Sequence, residues 1–313
     1  MQWSDRIGRR IKLRDMHILL AVAKFGSMGK AAAELAMSQP AVSKAISDLE
    51  HALGLRLLDR SPQGVEPTPY GDALMRCGTA VFDDLKQGVK ELQFLADPTV
   101  GELSIGCTEP SAAGFVAVVI DRFSRENPKA VFDVVTADFT ALHTRELPER
   151  KIDLAFIPMT ETPSEHDTVS EWLLDDRHVV AAAVDSKWTR RRHLTLAQLA
   201  DEPWVLPQRQ SAVGSYISEG FRAAGLDLPD ASVHTFSLAL HQRLLATGRY
   251  LTALPLSMLD YNRHLSLRQV AVEFPVRPRP IWIMTLRNRT LSPLAQRFIE
   301  CARRVAKSPA KIR

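Results

Sequence analysis

Gln39, Ser43, Lys44 and Ser47 lie close together in the run SQPAVSKAIS. An amide, two hydroxyls and one ammonium group supply hydrogen-bond donors, acceptors and a single positive charge. This is the chemistry that reads base edges and holds phosphates in a DNA groove. Arg60, further along, adds a guanidinium suited to a minor groove or a phosphate. None of these side chains has the surroundings of a nucleophile. The chain contains no glycine-rich phosphate loop, no GxSxG and no HExxH, and its nine histidines, from His17 to His264, are scattered. The sequence therefore points away from an enzyme, and no motif calls for a cofactor.

The local pattern explains how the first group is presented. Met16, Leu19, Leu20, Ala23 and Phe25 mark one face of a helix that Gly26 ends. Ser27 can cap a second helix that buries Met28, Ala31, Ala32 and Leu35. Ser38-Gln39-Pro40 then starts a third, since Ser at the cap and Pro in the first turn favour helix entry. Val42, Ile46, Leu49 and Leu53 form its buried stripe, and Gly54 stops it. Gln39, Ser43, Lys44 and Ser47 point away from that stripe. Two short helices, a turn and a third helix make a helix-turn-helix. Leu55–Thr68, with its Ser-Pro-Gln-Gly turn, reads as a two-stranded wing carrying Arg60.

Residues 69–96 read as one helix about 40 Å long. Tyr70, Leu74, Cys77, Val81, Leu85, Val89 (or Gly88), Leu92 and Leu95 recur along it every three or four residues. Such a stripe needs a partner. A second copy of the helix is the simplest, and packing on the chain's own C-terminal half is the other reading. Asp97-Pro98 breaks the helix. From Gly101 onward strands and helices alternate. Strands are expected at 101–106, 131–136, 152–157, 178–184, 204–206, 232–236, 250–254, 269–274 and 280–286. Helices are expected at 111–126, 139–150, 195–200, 213–224, 237–247 and 292–307. The order argues for parallel sheets covered by helices.

The segment AVAKFGSMGKAAAELAMSQPAVSKAISDLEHALGLRLLDRSPQGVEPTPYGDALM resembles the LysR-type transcriptional regulators almost throughout. GS-x3-AA, SQPAVS, LE-x2-LG-x-x-L-x-x-R and TP-x-G carry the match. The resemblance implies DNA contact through Lys30, Ser38, Gln39, Pro40, Ser43, Lys44 and Arg60. For Ser38 and Pro40 a pure helix-start role is an equal alternative. It also implies a linker-helix homodimer, often assembled into a homotetramer, that binds double-stranded DNA at a pseudo-palindromic site and acts on RNA polymerase.

Further along, GELSIG, K-IDLAF and LTALP are similar to the effector domain of the same family. The implied fold is a two-lobed, periplasmic-binding-protein-like α/β domain. The whole chain is thus expected to be α/β with an N-terminal all-α winged helix-turn-helix and a long linker helix. Expected boundaries are 1–67 for the DNA-binding domain, 68–98 for the linker and 99–313 for the effector domain. Lobe I would take 100–161 and 267–313, and lobe II 162–266. A small-molecule effector would bind between the lobes, at strand C-termini and helix N-termini. By position the candidates are Cys107, Thr108, Glu109, Ser111, Asp138, Thr140, Gln208, Arg209, Ser211 and Ser237. Ser111, Ser211 and Ser237 also read as plain helix caps, and Cys107 as a small buried residue rather than a redox sensor. Glu109 and Asp138 would suit hydroxyl donors or a cation, and Arg209 a carboxylate. The chain is also similar to the galactose-binding-protein regulators of the family, which implies a sugar or sugar acid as effector.

Composition agrees with two or three globular domains: 313 residues, 45% hydrophobic, 24% charged, net charge +4. Arg6, Arg9, Arg10, Lys12 and Arg14 form a basic cluster, read equally as a solvated face or as a phosphate contact. Cys77, Cys107 and Cys301 have no metal-ligand or disulfide spacing. The charged N-terminus does not read as a signal peptide, and no run is long enough to span a bilayer, so a cytoplasmic protein without membrane association is expected. The alternative function is a solute-binding protein with a packed, non-DNA-binding N-terminal segment, and the missing signal peptide and the SQPAVSK helix argue against it.

Overall fold

The computed structural model describes residues 11–62, 64–161, 167–262 and 265–307. Arg6, Arg9 and Arg10 of the basic cluster therefore lie outside the described residues. The chain forms two compact units, Met1–Val89 and Lys90–Arg313, so the division falls inside the long helix.

The first unit holds α1 (Leu13–Phe25), α2 (Met28–Glu34), α3 (Gln39–Leu53), β1 (Leu58–Ser61), β2 (Gly64–Pro67) and the start of α4 (Pro69–Ala96). Val22, Ala31, Val42, Ile46 and Leu49 are fully buried in one apolar cluster with Leu57 and Leu58. The three helices interlock because small alanines on α2 admit the larger side chains of α1 and α3. β1 and β2 pair antiparallel as the expected wing. Along α4, Leu74 joins the cluster, whereas Tyr70, Cys77, Leu85, Val89, Leu92 and Leu95 face solvent.

The second unit has two lobes. Lobe I is built on β3 (Val100–Cys107), α5 (Glu109–Ser111), a π-helical turn (Ala112–Val116), α6 (Ala117–Glu126), β4 (Lys129–Thr136), α7 (Phe139–Ala141), a second π-helical turn (Leu142–Glu146), β5 (Leu154–Pro158) and β6 (Thr168–Leu174). Lobe II follows with β7 (His178–Ala183), a 3₁₀ turn (Ala197–Leu199), β8 (Val205–Leu206), α8 (Ala212–Ala223), β9 (Val233–His234), α9 (Leu238–Leu245), β10 (Thr252–Pro255), α10 (Leu256–Asp260) and β11 (Leu267–Gln269). The chain returns to lobe I as β12 (Ile281–Leu286) and α11 (Pro293–Lys307).

The lobe I sheet has the order β4-β3-β5-β12-β6, with β3, β4 and β5 parallel and β12 antiparallel to both its neighbours. This corrects the expected lobe boundaries. Residues 168–174 form a strand of lobe I that the sequence pattern did not reveal. As an edge strand it leaves Val169 and Trp172 exposed and buries Thr168, which blurs the usual alternation. Conversely, Leu267–Gln269 pairs with β7 in lobe II. The strand expected at 269–274 does not continue, since residues 273–280 are irregular and carry Pro275, Pro278 and Pro280, which lack an N–H for a ladder. The expected helix at 139–150 ends at Glu146, that at 195–200 is the single 3₁₀ turn, and α10 was not foreseen.

Phe115, Phe123, Phe156 and Phe298 meet edge-on in the lobe I core. Trp188, Trp204 and Phe221 fill lobe II. At the foot of lobe I, the Asp153 carboxylate lies 2.8 Å from Arg289 Nη2, accepts the Ser104 N–H at 2.9 Å and accepts Lys90 Nζ at 3.3 Å. Among the described residues, no helix is long and apolar enough to cross a membrane.

Candidate nucleic-acid interface and effector cleft

The exposed side of α3 is set by the way the helix begins. Ser38 is the N-cap, its hydroxyl accepting the Ala41 N–H at 3.4 Å, and Pro40 occupies the first turn. Both helix-start roles are thus present, while the two residues are also exposed. With Val42, Ile46 and Leu49 turned fully inward, Gln39 and Lys44 are left facing solvent. Ser43 lies partly covered at their edge, where its hydroxyl accepts Arg60 Nη1 at 3.4 Å. The wing arginine and the third helix therefore present one continuous polar surface. Lys30 is exposed on α2, where its backbone N–H is bonded to the Ser27 hydroxyl at 3.4 Å.

Several residues of the resembling motifs have structural work instead. Glu50 Oε1 accepts the N–H groups of Leu57 and Leu58 at 2.8 and 3.2 Å, which ties α3 to the wing. Thr68 donates its hydroxyl to the Arg56 carbonyl at 2.8 Å and accepts the Gly71 N–H at 3.1 Å. At Gly71 a Cβ would sit 2.1 Å from the Leu57 carbonyl oxygen, so no larger residue fits there. Gly64 has φ +143°, and its Cβ would lie 2.8 Å from the Gly26 carbonyl that receives the Val65 N–H. These bonds hold Arg60 against Ser43.

In the second unit the strand directions bring the strand ends of both lobes to one crossing. Pro158, Leu174 and Ile281 lie level across the lobe I sheet, beside the crossing segments 175–177 and 279–280. The C-terminal ends of β3, β4 and β5 point to that level. In lobe II, Pro255 at the end of β10 is level with His178 at the start of β7. β8 runs parallel to the β10 approach through the Trp204–Leu251 bridge, and β9 runs parallel to β8. The strand ends carrying residues 207–209 and 235–237 therefore face the same crossing.

The sequence candidates collect into two groups on either side. Cys107 closes β3 and is fully buried; burial, with the Glu109 charge second, pushes its thiol up to about 12. It is an inert packed thiol at neutral pH. Thr108 Oγ1 and Ser111 Oγ are 2.9 Å apart, and Glu109 is exposed. Ser111 is not a helix cap; it lies inside the helix and is buried. Asp138 caps α7 by accepting the Ala141 N–H at 2.8 Å, with Thr140 exposed beside it. From lobe II, Ser211 and Ser237 cap α8 and α9. Gln208 is exposed, and its carbonyl accepts the Ser211 hydroxyl at 2.6 Å. Arg209 departs from expectation. Its Nη2 donates to the Leu228 carbonyl at 3.1 Å and lies 4.0 Å from Asp230, so the guanidinium serves a loop of its own lobe.

The crossing itself holds groups that sequence reasoning missed. The Asp176 carboxylate accepts the Ser257 hydroxyl at 2.6 Å and its N–H at 3.1 Å, and burial raises its pKa to about 6. His178 packs edge-on against Tyr216 at 4.9 Å, and burial, then the Arg279 charge, depresses it to about 3. Arg279 stands 5.0 Å over the Tyr216 ring. On another side, Gly114 of lobe I packs against Ser257 and Met258, and Asn262 Nδ2 donates to the Ala113 carbonyl at 2.9 Å. The only sequence hint was an arginine between prolines just ahead of the last strand.

Comparison with known proteins agrees with both halves. Residues 13–72 match the bacterial regulatory helix-turn-helix proteins of the lysR family, and residues 96–307 match the LysR substrate binding domain. The chain is 29% identical to the HTH-type transcriptional regulator GbpR of Azospirillum brasilense, over 97% of this chain and 89% of that protein. It is 28% identical to the regulator TdcA of Escherichia coli (strain K12), over 79% and 78% of the two chains. Among solved structures, the fold is shared with CbnR, a LysR family transcriptional regulator (TM-score 0.61, 20% identity, covering 95% of this chain and 99% of that one). It is also shared with a full-length OxyR variant from Pseudomonas aeruginosa (TM-score 0.64, 19% identity, 93% and 97%). With a winged helix in one unit, a two-lobed α/β fold in the other and family matches across both, the chain belongs to the LysR family of DNA-binding transcriptional regulators with an effector-binding domain.

Proposed function

We propose that this regulator reads a pseudo-palindromic promoter site through two winged helices and responds to a small metabolite held between its effector lobes. The observation that carries the reading is the joined surface of Gln39, Ser43, Lys44 and the wing residue Arg60, held by Glu50, Thr68 and Gly71. Lys30, Ser38 and Pro40 extend it. Gln39 suits adenine, Ser43 either base edge, and Lys44 and Lys30 guanine or phosphate.

Pairing occurs along α4. Leu85, Val89, Leu92 and Leu95 are each more than half exposed on one chain, a costly arrangement that a second copy relieves. A homotetramer then arises from two such dimers, acting in the cytoplasm on RNA polymerase. Thr108, Glu109, Asp138, Thr140, Gln208 and the cap residues Ser211 and Ser237 border the effector, a sugar or sugar acid. Ligand shifts the regulator only as far as it binds one lobe arrangement better than the other.

The test is footprinting of the full-length protein on a pool of promoter fragments. Two protected half-sites one helical turn or a multiple apart, lost in Lys44→Ala, are expected. Protection of a single half-site, or an unchanged footprint in that variant, would refute the reading.

A further inference from the structure

We infer that the effector is an acid, and that the Arg279 guanidinium receives its carboxylate at the floor of the cleft. The inference rests on the cleft being the effector site and names the chemistry that fills it.

Arg279 sits in the segment that carries the chain from lobe II back into lobe I. Its backbone N–H donates to the Asp176 carbonyl at 2.8 Å, so the residue is fixed where the two crossing segments meet. Its Nη2 reaches the carbonyl of Pro158, at the C-terminal end of β5, at 3.5 Å. Its other face lies over Tyr216, in the second turn of α8. One cation therefore touches lobe I on one side and lobe II on the other, at the level where the strand ends of both lobes converge.

That cation is only partly exposed, and it has no carboxylate within ion-pair distance among the described residues. The fold treats the buried Arg289 guanidinium differently: it is matched to Asp153 at 2.8 Å. A planar fork of five N–H donors with one long hydrogen bond leaves most of its donors idle. The groups around it do not neutralise it. The Asp176 carboxylate is turned to Ser257. His178 is held neutral by burial. The Tyr216 hydroxyl donates a hydrogen bond to the Arg277 carbonyl, and burial raises its pKa to about 12. Glu219, one turn further along α8, is exposed and makes no ion pair with it. Burial even lowers the pKa of Arg279. A carboxylate docking on the fork would supply the missing charge and two parallel hydrogen bonds together. Thr108, Gln208 and the capping serines would be left to read the hydroxyls or amides of the remainder. Arg209, the arginine that sequence position favoured, is already engaged by Leu228 and Asp230.

The test is the thermal midpoint of the full-length protein with gluconate, galactonate, benzoate and glutarate, each beside its neutral counterpart: glucose, galactose, benzamide and glutaramide. At least one acid is expected to raise the midpoint by about 5–10 °C at ~100-fold excess over its Kd, with its neutral counterpart inactive. The shift should vanish in Arg279→Gln and persist in Arg209→Gln. If Arg279→Gln does not fold, Arg279→Lys keeps the charge but loses the fork, and is expected to weaken the acid at least tenfold. An acid shift that survives both Arg279 substitutions overturns the inference, as does an equal response to the neutral partner. A neutral sugar acting alone overturns the acid while leaving the cleft as the effector site. No response to any acid overturns it too, and the DNA-binding reading then stands or falls by the footprint.

Discussion

Replacing Asp153 by alanine should destabilise the effector domain far more than its single side chain suggests. The carboxylate and the Arg289 guanidinium are 3–4% exposed, 2.8 Å apart, and the same carboxylate holds the Ser104 N–H and Lys90 Nζ. Arg289 additionally donates to the Ile152 carbonyl and cannot leave for water without opening the sheet. Removing one partner of such a pair leaves a buried charge uncompensated, at a cost of about 3–5 kcal/mol. For a unit of this size each kcal/mol lowers the midpoint by about 2–4 °C, so a fall of roughly 6–20 °C is expected. Differential scanning calorimetry of the full-length chain should show the fall in the transition assigned to the effector unit. The companion double variant, Asp153→Ala with Arg289→Met, also removes the guanidinium and should recover part of the loss, the remainder being the Lys90 ammonium and the Ser104 N–H that still lose their acceptor. A fall below about 3 °C in the single variant, smaller than the estimate permits, or a double variant as unstable as the two single losses added, would refute the account of this site.

Three further outcomes follow from the structure. Lys44→Ala should weaken operator binding and reduce the salt slope of log Kobs by about 1 per subunit, read by titration at several salt concentrations; its midpoint should stay put because the residue is exposed. Leu85→Asp, on the 51% exposed stripe position of α4, should yield a folded monomer by sedimentation velocity at micromolar protein, and a persistent dimer would remove α4 as the pairing element. Asp176, raised to about 6 from 3.8, binds its proton more tightly when folded, so its contribution favours stability below pH 4 and is lost as pH rises through 6. His178, lowered to about 3, acts in the opposite sense over pH 3–6.5. Asp176→Asn should therefore make stability rise more steeply with pH between 4 and 6 than in the parent, measured by midpoints across that range. An unchanged slope would exclude Asp176 as a titrating group there.

The winged helix was readable because its motif residues do their work locally. Ser38 caps the helix it begins, Thr68 and Gly71 sit three residues apart across one turn, and the Val42, Ile46, Leu49 stripe needs only helical spacing. The effector half depends on pairings between residues distant in sequence. Thr168–Leu174 was missed since an edge strand with outward Val169 and Trp172 carries no clean alternation. The placement of Leu267–Gln269 beside β7 could not be known before the topology. Arg209 looked available in the sequence because nothing nearby in the chain announces Leu228 and Asp230 as its partners. Arg279 belongs to no sequence motif, and only the crossing of two segments gives it significance.

The two π-helical turns, Ala112–Val116 and Leu142–Glu146, have a consequence for how this domain tolerates change in length. Each follows a strand that ends at the cleft, and each holds one residue more than an α turn would. In the first, Gly114, Phe115 and Val116 are buried consecutively, a sequence no single helical face allows. The surplus residue lets the segment before it and the segment after it keep their own faces. Removing one residue inside either turn would close it to an ordinary α turn and leave both flanks in register. The same deletion a few residues later, within α6, would swing everything beyond it by about 100° and expose Phe123. Insertions and deletions among relatives should therefore gather at these two turns, immediately behind the strand ends that reach the crossing of the two lobes.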